Sequence, residues 1–129
     1  MTTCYLSLGS NDGHRESHLI HAMNFLAEIC ESVYCSTPYE SPALSAKKDS
    51  QVARPHYLNA VALVEYAGTP EQLEAMLKAC EIMEGRTAAA RSEGRVPLDI
   101  DIVIADSTVV RPKDHSLYFF RRGYEEICK

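Results

Sequence analysis

The chain has 129 residues, 46% hydrophobic and 24% charged, with a formal net charge of -5. That length holds one domain with a real core and not two, so residues 1–129 read as a single domain. The acidic balance argues against a general nucleic-acid or membrane-surface binder, and no apolar run reaches the about 18 residues a membrane span needs.

The first residues, Met1-Thr2-Thr3-Cys4-Tyr5, lack the charged-then-apolar layout of a signal peptide, which predicts a cytoplasmic location. Cys4, Cys30, Cys35, Cys80 and Cys128 are odd in number and none are spaced C-x-x-C, so free thiols are expected. Thr3 to Leu8 reads as a strand, and Gly9-Ser10-Asn11-Asp12-Gly13 as a turn-rich break. A helix is predicted from Arg15 to Glu31, with Leu19, Ala22, Met23, Leu26, Ala27 and Cys30 on one stripe. His14, His18 and His21 also fall at helical spacing, as an exposed face that needs no ligand. Ser32 to Tyr39 reads as one strand, with Pro38 marking an edge or an ending.

Ser41 to Pro55 has no sustained period and reads as a long loop. Tyr57 to Glu65 resumes as a strand, with Leu58, Ala60, Ala62 and Val64 on one face and Tyr57, Asn59, Val61 and Leu63 on the other. Thr69-Pro70-Glu71 is a helix start, followed by an apolar side of Leu73, Met76, Leu77, Cys80 and Ile82 or Met83, with Gly85 as a stop. Arg86 to Pro97 carries Arg86, Arg91 and Arg95 among small residues and reads as a flexible basic loop.

Leu98-Asp99-Ile100-Asp101-Ile102-Val103-Ile104 alternates apolar and acidic and then turns wholly apolar. As a strand it puts Leu98, Ile100 and Ile102 on one face and Asp99 and Asp101 on the other, roughly 6.5–7 Å apart along the chain. Two carboxylates so placed suit a hard divalent cation carrying a phosphate-bearing substrate; they equally suit a half-exposed strand facing water. The basic loop just before them favours a polyphosphate held between the two charges. A short strand from Ser107 to Val110 and a basic tail element around Arg121 and Arg122 finish the chain. The order strand, helix, strand, strand, helix, strand is that of an α+β, ferredoxin-like split βαβ sandwich: an antiparallel sheet with helices packed on it.

Taken together, Tyr5-Leu6-Ser7-Leu8-Gly9-Ser10-Asn11, Tyr57-Leu58-Asn59-Ala60, Glu81, Gly85-Arg86 and Leu98-Asp99-Ile100-Asp101-Ile102 resemble the 6-hydroxymethyl-7,8-dihydropterin pyrophosphokinase family of folate biosynthesis. The resemblance implies the same ferredoxin-like fold. It also implies transfer of pyrophosphate from ATP to the hydroxymethyl group of a reduced pterin, with two Mg2+ ions held by Asp99 and Asp101. By the same resemblance Ser41, Pro42, Leu44, Tyr57, Asn59 and Tyr124 would form the pterin slot. Glu81, Ile102, His115 and Arg122 would contact the nucleotide, and Arg86 and Arg95 would be the catalytic cations. The partners implied are ATP and the pterin, without nucleic acid or membrane.

The sequence departs from the family in the basic loop. Ala88 stands where a second arginine is usual, Glu93 where an aromatic often caps the pterin, and Val96 where an arginine precedes the first aspartate, with Arg95 one residue earlier. These changes leave open a second reading, an impaired or non-catalytic pterin- or nucleotide-binding homologue.

Overall fold

Strand β1 (Thr2–Ser10) is the middle of the sheet, hydrogen-bonded on both sides. The computed structural model describes residues 1–42 and 56–128. The remaining elements are α1 (Arg15–Ile29), β2 (Ser32–Cys35), β3 (Tyr39–Ser41), β4 (Tyr57–Tyr66), α2 (Pro70–Met83), α3 (Ala88–Ser92), β5 (Asp99–Ala105), β6 (Thr108–Val109), α4 (Pro112–Ser116) and α5 (Tyr118–Ile127). The six strands form one antiparallel sheet in the order β2-β4-β1-β5-β6, with β3 also pairing β4. Because β4 lies between β1 and β2, and β1 between β4 and β5, each helical crossover is split by an inserted strand, as the ferredoxin-like order predicts.

Alternation decides which residues face the helices. Cys4, Leu6 and Leu8 from β1, Leu58, Ala60, Ala62 and Val64 from β4, and Leu98, Ile100 and Ile102 around β5 share one core with Leu19, Ala22 and Leu26 of α1 and Leu73, Leu77 and Cys80 of α2. The start of α2 is a capping box: Thr69 accepts from Gln72 N and the Gln72 side chain accepts from Thr69 N, with Pro70 in the first turn. Ile82 and Met83 do not join the apolar side; they are 69% and 65% exposed. A helical stripe through Leu73 and Leu77 continues at Glu81, which is 4% exposed, and rotates the next two residues into solvent.

Three local features depart from the sequence reading. The strand expected from Ser32 to Tyr39 is two strands, because Ser36-Thr37-Pro38 opposes only Val61 and Ala60 of β4. Pro38 has no N–H to donate to a ladder, and Ser36 secures the break through Ser36 N to Val61 O (2.8 Å) and Val61 N to Ser36 Oγ (2.9 Å). On β5 the register slips at Val103, since Tyr5 pairs Ile104 while Leu6 pairs Ile102. This bulge lets Val103 and Ile104 both face the opposite side of the sheet. The basic tail element around Arg121 and Arg122 is a helix, α5, which buries Phe120 against Val61, Val103 and Ile104 and closes the second face. Gly123 permits that approach, because a Cβ there would meet Val61 Cγ2 at 2.7 Å.

The basic stretch after Gly85 is likewise more ordered in its local structure than expected. Thr87 caps the five-residue α3, whose Ala90 is buried, and Asn11 fastens the far end: Val96 N donates to Asn11 Oδ1 (2.5 Å), and Asn11 Nδ2 donates to Gly94 O (3.1 Å). The expected flexible loop is therefore corrected to a short capped helix with a stapled return. All five cysteines are free thiols, and burial pushes Cys4, Cys30 and Cys80 up to about 11.

Two of the three helix-spaced histidines tie α1 to the end of α2. The Nδ1 atoms of His18 and His21 each lie 2.9 Å from Glu84 Oε1. Burial alone would raise the Glu84 pKa, but the two imidazole contacts outweigh it and hold the carboxylate below its ordinary range. A lowered pKa contributes stability above the unfolded value that disappears as pH falls through the folded one. Glu84→Gln is therefore expected to unfold at lower denaturant than the parent at neutral pH, with the gap closing below the ordinary carboxylate range. Denaturant titrations across pH measure this; a gap that stays constant into acid would show that the carboxylate's charge is not what joins the helices.

Candidate active site

Strand register assembles the site. Asn59, Gly9 and Asp99 are Cα partners across β4, β1 and β5, and Val61, Ser7 and Asp101 form the next row on that face. Gly9 has no side chain, so the first row has a gap in its middle. A cavity of about 160 Å³ opens there, lined by Ser7, Leu8, Gly9, Ser41, Pro42, Tyr57, Asn59, Asp99 and Phe119. Asn59 is 3% exposed and its Nδ2 donates to Ser41 Oγ (2.8 Å) and Tyr39 O (3.2 Å). Those bonds fix the amide so that its oxygen borders the gap: a Cβ added at Gly9 would lie 3.3 Å from Asn59 Oδ1 and from Tyr57 Cδ2.

At the Asp99 end lies a carboxylate cluster. Ligand-capable atoms of Glu81, Asp99 and Asp101 all fall within 4.8 Å of one another. Glu81 reaches this point from α2 because the edge of β5 leaves a backbone donor there: Ile100 N donates to Glu81 Oε2 at 2.9 Å. Arg86 Nη1 is 3.0 Å from both Glu81 Oε2 and Asp99 Oδ1, Lys78 Nζ is 3.4 Å from Asp101 Oδ1, and Arg111 Nη1 is 3.8 Å from the same oxygen. Burial, then the charge of Asp99, raises the pKa of Asp101, while Lys78 and Arg111 oppose the rise. Beside the cluster a cavity of about 450 Å³ is lined by Lys78, Glu81, Ile82, Arg86, Thr87, Ala88 and Arg91. Three close carboxylate oxygens are a donor set suited to a hard divalent ion.

The structure thus brings together Ser41, Pro42, Tyr57, Asn59, Glu81, Arg86, Asp99 and Asp101. It places others elsewhere. Tyr124 does not reach the slot; it packs on Tyr5 and Phe120 and lines a separate cavity with His115, because α5 turns Phe119 to the slot instead. Arg95 points away from the carboxylates to Asp12 (3.2 Å) and Glu93 (2.7 Å). The Ile102 side chain is core, and Arg122 lies over the Tyr39 ring at 5.7 Å. His115 Nε2 lies 3.3 Å from Arg121 Nη1. Leu44 lies outside the described residues.

Sequence reasoning missed Lys78, Arg111 and Phe119. The i,i+4 spacing of Glu74 and Lys78 and the i,i+3 spacing of Lys78 and Glu81 were available signals for the first. Nothing in spacing singles out Arg111, and Phe119 is hidden in the run Tyr118-Phe119-Phe120.

An α+β sheet that holds a small polar-rimmed slot against a carboxylate cluster, with cations beside it, has the parts a phosphoryl-transfer enzyme uses: acidic groups for a metal and cations for phosphates. The sequence model of 7,8-dihydro-6-hydroxymethylpterin-pyrophosphokinase (HPPK) matches residues 5–129. The 2-amino-4-hydroxy-6-hydroxymethyldihydropteridine pyrophosphokinase of Aquifex aeolicus (strain VF5) is 34% identical over 113 residues, covering 88% of this chain and 67% of that protein. The chain belongs to this pyrophosphokinase family.

Two expectations follow from the geometry. Glu81→Ala removes the acceptor of a buried strand N–H and the partner of Arg86, and is expected to cost about 2–4 kcal/mol of stability in a denaturant titration. Gly9→Ala fills the gap between Asn59 and Asp99. It is expected to weaken binding of a slot ligand at least about tenfold while leaving nucleotide binding near the parent's, as read by calorimetry with each ligand separately. Equal slot affinity would show that the gap is not where the ligand sits.

Proposed function

We propose that this pyrophosphokinase uses magnesium and transfers the terminal pyrophosphate of ATP to the hydroxymethyl oxygen of 6-hydroxymethyl-7,8-dihydropterin. The observation that carries this reading is that one residue, Asp99, belongs both to the slot and to the carboxylate cluster. A ligand in the slot therefore ends against the group that would hold metal and phosphates. The Asn59 amide oxygen offers an acceptor to ring N–H groups, and Tyr57 and Phe119 offer aromatic surface to a bicyclic ring. Ser41 and Pro42 form the rim.

Asp99 and Asp101 would hold the magnesium, which when bound supplies charge neutralisation of the triphosphate. The nucleotide enters by the cavity that Arg86 and Arg91 line, and Arg86 turns from its carboxylates toward the transferring phosphates. The hydroxymethyl oxygen forms a bond to the β-phosphorus, the bond from that phosphorus to the α–β bridging oxygen breaks, AMP leaves with the electron pair, and the hydroxyl proton is released. The proposal extends to residues 1–129 acting as one cytoplasmic domain on two soluble small molecules, without nucleic acid or membrane. No helix among the described residues is long and apolar enough to cross a bilayer.

Chromatography of the nucleotide products is expected to show AMP appearing one for one with pterin consumed, only with magnesium present; ADP in its place would overturn the reading. Arg86→Ala is expected to lower the rate by about a hundredfold or more, as removal of a charge-stabilising donor does. Arg95→Ala, which breaks pairs to Asp12 and Glu93 and none to the carboxylate cluster among the described contacts, is expected to stay within a few-fold of the parent.

A further inference from the structure

Lys78 stands where the carboxylate cluster meets the nucleotide-sized cavity, and its contacts differ from those of the other cations. Its Nζ lies 3.4 Å from Asp101 Oδ1, 3.5 Å from each Glu81 oxygen and 3.7 Å from Glu74 Oε1. These distances all exceed the about 2.7–2.9 Å of a tight charge-assisted bond. The ammonium is therefore centred among three carboxylates and locked to none. Arg86, by contrast, makes two 3.0 Å pairs, to Glu81 and Asp99, and Arg111 is anchored by Asp114 at 2.5 Å. Lys78 has only carboxylate partners among the described residues, and its side chain is 45% exposed.

We infer that the Lys78 ammonium is a built-in counter-ion: it takes the place of a cation at the Glu81–Asp101 edge of the cluster while no nucleotide is bound, and moves onto the nucleotide's phosphates when a divalent metal enters. The inference rests on the metal-nucleotide reading above. Its physical basis is competition. Glu81 and Asp101 are buried and close together, so a cation between them offsets their repulsion and desolvation. A divalent ion held by Asp99 and Asp101 and an ammonium against the same Asp101 carboxylate oppose each other, because like charges at such range repel strongly even at an effective dielectric near 20. Metal alone must displace Lys78 into water. Metal arriving with a triphosphate gives Lys78 a new anion in the cavity it already lines. Metal and nucleotide are thereby coupled through one side chain, and the coupling is reciprocal.

Manganese titrations read by the electron paramagnetic resonance signal of the free ion test this in the intact chain. Without nucleotide, Lys78→Met is expected to bind Mn2+ about tenfold tighter than the parent. With a non-hydrolysable ATP analogue present, its advantage is expected to vanish or reverse. Lys78→Arg keeps the charge and is expected to match the parent in both titrations. Thermal melts establish folding, and Lys78→Gln serves in the same assays if Lys78→Met does not fold. Mn2+ affinity in the uncharged variant no greater than the parent's overturns the inference. So does a charge-keeping variant that behaves like the uncharged one, since that would make the effect one of shape. Asp101→Ala separates the two levels: if it binds Mn2+ as the parent does, the metal reading itself fails, whereas loss of binding there with no change at Lys78 sinks only the counter-ion.

Discussion

The site depends on a missing side chain. Asn59, Gly9 and Asp99 stand abreast on three neighbouring strands, and strand spacing puts the outer two roughly 9–10 Å apart. A Cβ at the middle position would already lie 3.3 Å from Asn59 Oδ1 and Tyr57 Cδ2, and a larger side chain would take more of that space. A glycine in a central strand ordinarily weakens it, since it adds backbone entropy and no packing. Here the weakness is offset by neighbours that hold the ladder on both sides of β1, which carries the register without gaps from Thr2 to Ser10 against β4. The slot is thus a property of sheet register before it is a property of any polar group.

The second constraint is electrostatic. Glu81, Asp99 and Asp101 are matched by Lys78, Arg86 and Arg111, so the cluster carries no large net charge while it waits for a ligand. Glu81 has a double duty, because the same oxygen that faces Arg86 accepts the Ile100 N–H. That bond ties the position of α2 to the edge of β5, and with it the position of Lys78. Burial, then the charge of Asp99, raises the Asp101 pKa, and Lys78 and Arg111 oppose the rise.

Much of this was legible in the sequence because it follows from periods. The alternation of Leu58 to Val64 and of Leu98 to Ile102 sets both faces of the sheet, and Thr69-Pro70 sets the start of α2. What period cannot give is a side chain that crosses between elements. Glu81 lies one four-residue step past Leu77, and the fold buries it there against the edge of β5. Phe119 and Tyr124 lie on one short helix, and their spacing alone does not say which of them meets the slot. Arg95 is a further case: it pairs with Asp12, from the turn after β1, and with Glu93.

The departures in the basic loop take on a different meaning once that staple is seen. Ala88 begins a helix capped by Thr87, and Ala90 is buried beneath it, so small residues suit this stretch as packed structure. Val96 is fixed by its own N–H and C=O to Asn11, which orients its backbone whatever its side chain. Positive charge that the loop lacks is present nearby, on Lys78 of α2 and on Arg111 before α4, both within 4 Å of Asp101. A cation paired with the carboxylates must be drawn away from them before it can serve a phosphate. The cost of that transfer falls with each negative charge the substrate brings, so this arrangement discriminates in favour of a polyphosphate over a singly charged anion at the step of binding.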